Sequence, residues 1–380
     1  MGAGETFPAE RSAFRDPETG AEVTQLTDYR GHAWHLYFTN FGWYDRDRKL
    51  LFASERANHA NLFCLEMASG RITQLTDLEQ TAPLHFVLTA LDPERGRAYF
   101  WQGRRLRRLD LATLALADLW EAPAGFEVAI ISVTADGRHA ATSIREVGPA
   151  TEKGLQEGYI GFRETFDAHP LSRVVLIATD GSGARVLHED RCWIGHANAS
   201  PGRADLMTFC HEGPWDAVDH RIWGLDIPTG RVWKIRPGNP GDVAGHEYWL
   251  ADGEHVAYHG GIGGKPMFGA VRYDNTDLIE AELPMTSEHF HSLTADLIVG
   301  DGEAADPFNL KEAKDYILMW RRRSGRYDGP VRVARHRCSF HIQNVHCHPR
   351  LTPDGSGILF CSDRTGYGQL YLVPVPAEAP

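Results

Sequence analysis

The chain has 19 histidines in 380 residues, and several of them recur at one spacing. His348 lies five residues before Pro353 in "HPRLTPDG", His246 five before Ala251 in "GHEYWLADG", and His196 five before Pro201 in "GHANASPG". His85 stands five before Ala90 in "LHFVLTALD", where the turn is longer. His346 precedes His348 by two residues, which on a strand puts both on one face. Gln343 has the wrong parity for that face and falls in the loop leading into the strand. His289 and His291, in "SEHFHSLTAD", are six and four residues before Ala295 and therefore out of phase. A bulge or an irregular entry would bring either of them inward. One histidine near a strand start is ordinarily a hydrogen-bonded structural residue. Four in register, with a His-x-His, suit a transition-metal site, and a neutral imidazole equally suits a general base.

A second polar stretch, "TFCHEGPWDAVDHRIWGLD", offers His211, Glu212, His220 and Arg221 between two apolar runs. An arginine there is either a surface ion pair or a bidentate clamp for a carboxylate. Other chemistries do not fit. The chain has no G-x-S-x-G elbow and no dinucleotide fingerprint, and "GGIGGKPMF" lacks the P-loop spacing. Its basic residues do not interleave with aromatics as a nucleic-acid groove requires.

The elements that must position these residues form a repeat. "RKLLFASERANHANLFCLEMASGRITQLTD" and "TPDGSGILFCSDRTGYGQLYLVPV" share one plan: polar turn, apolar strand, polar link, apolar strand, glycine turn. Seven such units span about 42–80, 85–122, 128–190, 194–238, 245–286, 290–338 and 346–376. The last is one strand short. "GAEVTQLTD" matches the closing "GRITQLTD" of the first unit, so a strand at about 21–28 can complete it. The expected fold is all-β: a single-domain seven-bladed β-propeller over 1–380, its ring closed by an N-terminal strand. Inserts at about 147–172 and 303–314 would project from one face. The innermost strands would line a channel, with the histidines around one mouth.

Composition bounds the partners. Apolar residues are 42% and charged residues 24%, the balance of a folded chain, and the formal charge is −12. That charge argues against nucleic acid and anionic membranes while allowing a local basic pocket for an acidic ligand. The N-terminal "MGAGETFPAERSAF" lacks the basic and apolar regions of a secretory signal. No run approaches the ~20 apolar residues of a membrane span. Six scattered cysteines read as reduced thiols, and the expected location is the cytoplasm. Nothing in the pattern fixes an oligomeric state.

From about 196 to 370 the motifs "CHEGPWDAVDHRIW", "GHEYWLADG", "EHFHSLTADLIVGDG" and "QNVHCHPRLTPDG" resemble the oligogalacturonate lyases. These are cytoplasmic seven-bladed propellers that cleave short pectin-derived uronates; the earlier blades match only the general TolB-like pattern. The resemblance implies a manganese site on His289, Gln343, His346 and His348, and favours His289 over His291. It implies His246 as the base and Arg221 as the partner of the substrate carboxylate. His85, His196 and His211 are further candidates for substrate contact. The implied reaction is β-elimination from an acidic oligosaccharide. Metal and arginine neutralise the carboxylate, His246 removes the C5 proton, and a 4,5-unsaturated uronate leaves. "EHFHSL" carries a second histidine and lacks an expected asparagine after its serine, which points to tuning for another uronate. A non-catalytic TolB-like binding scaffold is the reading from a different class.

Overall fold

The computed structural model describes residues 2–148, 161–215, 217–239, 241–302 and 315–377. The insert at 303–314 lies outside the described residues, as does 149–160 of the insert at 147–172. Residues 161–172 include one short α-helix, Phe162–Asp167. Apart from three short 3₁₀ turns, the other regular elements among the described residues are strands. Among the described residues seven antiparallel sheets follow the sequence units in order, the first and seventh each taking N-terminal strands as well. We number them as blades in chain order.

Contacts divide the chain into two compact units, Ala82–Glu280 and the pair of segments Met1–Thr81 with Ala281–Pro380. The unit over 82–280 holds the second to fifth blades. The fourth runs Ile194–Ala199, Leu206–His211, Ile222–Asp226 and Val232–Lys234, and the fifth Val243–Trp249, His255–Ile262, Lys265–Arg272 and Ile279–Glu282. Core layers form between successive sheets. Trp101 and Leu106 pack with Ile131 and Val175, Leu176 with Phe209 and Leu225, and Ile222 with Val256 and Tyr258.

The other unit holds the first, sixth and seventh blades. The seventh pairs Arg350–Leu351, Gly357–Ser362 and Gln369–Pro374, and then takes Glu22–Gln25 as its next strand, with Thr24 opposite Leu372. The two "TQLTD" segments form the same local loop. Gln25 Nε2 donates to Thr27 O at 2.8 Å, and Gln74 Nε2 to Thr76 O at 2.7 Å. The N-terminal chain also lays Thr6–Phe7 along Ile72–Thr73, covering the first blade's edge. Val23 is fully buried among Ile358, Phe360 and Tyr371.

If that N-terminal strand is an integral part of the seventh blade, Val23→Ala should lower stability by about 1–3 kcal/mol through lost burial and a residual cavity. Urea unfolding checks this; an unchanged midpoint would mean the strand is not docked.

Candidate active site

The recurring histidine spacing has a backbone cause. In the fourth blade Gly195 pairs with Cys210 and Asn198 with Thr208, so His196 and Ala197 together face Phe209. In the fifth, Gly245 pairs with His259 and Tyr248 with Ala257, so His246 and Glu247 face Tyr258. In the seventh, Cys361 N donates to Cys347 O and Arg350 pairs with Leu359, leaving His348 and Pro349 against Phe360. Each is a β-bulge, and in each the first residue is left-handed: φ is 41° at His196, 49° at His246 and 41° at His348. Glycine usually takes that position, because a Cβ there costs about 1–2 kcal/mol. His85 does not share it. It precedes a 3₁₀ turn, Phe86–Leu88, with φ −102°.

The sixth and seventh blades bring three histidines together. Ring nitrogens of His289, His346 and His348 lie within 4.8 Å of one another. Strand periodicity is not what aligns His346 with His348. Residues Gln343–Val345 form a 3₁₀ turn that His346 terminates, and the left-handed bulge then turns His348 back toward it. Gln343, on the same turn, places Nε2 at 3.2 Å from His348 Nε2. Tyr37 and Phe38 wall the cluster, with ring centres 5.3 and 6.3 Å from His348.

Behind His289 stands a carboxylate that the spacing argument missed. Asp301, fully buried, accepts from the His289 backbone N–H at 2.8 Å and meets its Nδ1 at 2.7 Å. Burial raises the Asp301 carboxyl, but His289 and the backbone donor outweigh it and hold it below its ordinary value. A carboxylate on Nδ1 fixes the ring so that Nε2 faces the cluster, which is the usual support of a metal-bound imidazole. "VGDG" contained Asp301, but no spacing rule connects it to His289. His291 is occupied elsewhere, its Nδ1 accepting from Leu351 N at 3.1 Å.

The cluster fits a borderline divalent cation. His346 Nδ1 is buried and has no hydrogen-bond partner among the described residues, while its Nε2 meets Phe340 O at 3.1 Å. Burial and neighbouring His289 push His346 down to about 4, so its ring is neutral at neutral pH. The Gln343 amide offers an oxygen by rotation about its last torsion.

The fourth and fifth blades carry the second cluster. His246 Nδ1 lies 3.0 Å from His259 Nε2, and Trp215 stands 5.6 and 5.5 Å from their rings. Next to His246, the fully buried Glu247 meets His196 Nδ1 at 3.3 Å and Arg221 Nε at 3.2 Å. Arg221 also holds Glu212 bidentately, at 2.7 and 3.2 Å. Three of its donors are thus committed to carboxylates of its own chain. Burial opposes every charge here. Arg221 is nevertheless held above its ordinary value by the two carboxylates, and Glu247 is held down to about 2 by Arg221 and His196. The glycines before the bulges make room for this network. A Cβ on Gly245 would lie 2.9 Å from Arg221 Cδ and from Trp215, and one on Gly195 3.1 Å from Glu212. Arg221 and Trp215 border an open cleft.

His196 therefore joins the ion network. His211 does not. Strand alternation turns it away from Cys210 and Glu212, onto Trp223 at 4.8 Å and into a separate group with Asp190 and Cys192.

The sequence model of one protein family, described as oligogalacturonate lyase, matches residues 1–379. The chain belongs to the oligogalacturonate lyase family. It is 28% identical to the oligogalacturonate lyase of Dickeya dadantii, over 99% of both chains. To the oligogalacturonide lyase of Pectobacterium atrosepticum it is 26% identical over 99% of both. Among solved structures, an oligogalacturonate lyase in complex with manganese matches with a TM-score of 0.88 at 26% identity, covering 99% of each chain. The Vibrio parahaemolyticus oligogalacturonate lyase gives the same TM-score at 23% identity, over 98% of this chain and 99% of that one. The fold is accordingly a seven-bladed β-propeller, and the family is one of polysaccharide-cleaving lyases.

Two outcomes follow for this family member. Asp301→Asn should weaken manganese binding about 10–100-fold, read by titration calorimetry, because the His289 ring loses its anionic anchor. Glu247 folds with its carboxyl held down from 4.5 to about 2, so its contribution is complete above 4.5 and is lost as pH falls toward 2. Glu247→Gln should cost on the order of 3 kcal/mol at pH 7, and the gap to the parent should shrink steadily in acid. Urea unfolding at stepped pH measures it; a pH-independent gap would contradict the assignment.

Proposed function

We propose that this protein cleaves short oligogalacturonates by metal-dependent β-elimination. The observation that carries this is the convergence of His289, His346 and His348, with Asp301 behind them, in a chain of a lyase family. His289, His346 and His348 would hold the cation through ring nitrogens, and Gln343 through its amide oxygen. Manganese is the first candidate, being the ion named for the solved relative. When bound, it would supply positive charge to the uronate carboxylate and so favour loss of the proton alpha to it. Four neutral donors leave that charge uncancelled for an anionic substrate.

His246 is assigned the base that accepts the C5 proton. The electron pair of the broken C5–H bond becomes the 4,5 double bond, the C4–oxygen pair departs with the leaving oxygen, and that oxygen takes a proton from water. Arg221 is assigned to the carboxylate side through its remaining donors, with Glu212 and Glu247 fixing the guanidinium plane. Among the described residues no helix is long and apolar enough to cross a membrane, and all six cysteines are free. A reducing cytoplasm suits them.

The test is ultraviolet absorbance of unsaturated product from a panel of oligouronides. We expect product from oligogalacturonate, its loss on complete chelation, and its return with Mn²⁺. His246→Ala should lower kcat by about 10²–10⁴-fold while manganese affinity is unchanged. Full activity without metal would remove the metal role, and full activity in His246→Ala would remove that base. Product only from a different uronate would overturn the substrate.

A further inference from the structure

We infer that His259 is the positioning residue that sets the tautomer of His246. This rests on the reading of His246 as the base. His259 is on the strand next to His246, paired with Gly245. The bulge carries His246 out of regular alternation and onto it, with ring centres 5.1 Å apart. Trp215 packs against both rings and confines them.

A 3.0 Å contact between two imidazole nitrogens holds one proton. If that proton is on His246 Nδ1, the lone pair of His246 is on Nε2, and Nε2 can accept a proton from carbon. If it is on His259 Nε2, then neutral His246 carries its hydrogen on Nε2 and cannot act as a base. The productive pair is therefore His246 Nδ1–H donating to His259 Nε2, with His259 protonated on its own Nδ1. On proton uptake His246 becomes an imidazolium, and its bond to His259 becomes charge-assisted and stronger. The partner thus serves the protonated form more than the resting form.

The choice of partner matters. His289 has a buried carboxylate on Nδ1, which suits a ligand that must hold a cation. A carboxylate on His246 would draw a proton onto the ring before substrate arrives. A neutral imidazole orients the ring and leaves it uncharged.

The experiment compares His259→Gln, His259→Leu and His246→Ala in the manganese-loaded enzyme. Gln Oε1 can accept from His246 Nδ1–H, while Leu cannot accept at all. We expect His259→Leu to lower kcat about 10–100-fold with KM changed less than about threefold, and His259→Gln to recover most of that loss. Adding His259→Leu to His246→Ala should cost nothing further. Nitrogen-15 spectra of labelled histidine should show His246 as the Nδ1–H tautomer in the parent and not in His259→Leu. Unchanged kcat in His259→Leu, or equal losses in Leu and Gln, would overturn the positioning role while leaving His246 as the base. Full activity of His246→Ala would instead overturn the reading beneath it.

Discussion

Strands buried on both faces leave little room for polar chemistry, and that constraint governs this molecule. Gly357–Ser362 is buried at every position, and Lys49–Ser54, Asn61–Glu66 and Leu206–His211 at all but one. A charged side chain inside such a sheet is costly, and the cost falls where a strand ends or its pairing slips. The bulges at His196, His246 and His348 are such slips. Each sets two residues against one large buried aromatic, Phe209, Tyr258 or Phe360, which supports the sheet where the ladder is interrupted. The apolar layer and the polar site are thus built from the same irregularity.

The two clusters solve opposite electrostatic problems. Around His289 three imidazoles and an amide converge with one buried carboxylate behind them, an arrangement that suits a cation at the front. Around Arg221 two carboxylates already meet the one guanidinium, with His196 beside them, so its positive charge is answered within the chain. An ion network buried to this degree adds less stability than its contacts suggest, because desolvation opposes it. What it does supply is rigidity: Glu212 and Glu247 fix the guanidinium plane, and Trp215 fills the space between that plane and the paired histidines.

Much of this was legible in the sequence because it is local. Seven strand–turn units, the paired "TQLTD" segments and the five-residue histidine spacing are all short-range patterns. They led to the blades and to three of the four histidines placed in register. His85 departed because its longer turn folds into 3₁₀ geometry instead of a bulge. The partners were not legible. Asp301 to His289, His259 to His246 and Glu247 to Arg221 are 12, 13 and 26 residues apart, joined across strands by no periodic rule. His259 reads in "VAYHGGI" as one more strand residue. Arg221 was recognised as an arginine able to grip a carboxylate; that its own chain supplies two of them depends on burial, which spacing does not encode.

The left-handed backbone at the three bulges separates foldability from chemistry. Glycine or asparagine would sit there with less strain than histidine, so the backbone does not demand an imidazole at 196, 246 or 348. At 196 the ring also serves the scaffold, because it bonds the buried Glu247 carboxylate; at 246 and 348 exchange would ease the backbone. At 246 and 348 the histidines are thus held against the backbone's own preference, a cost that the fold alone does not return.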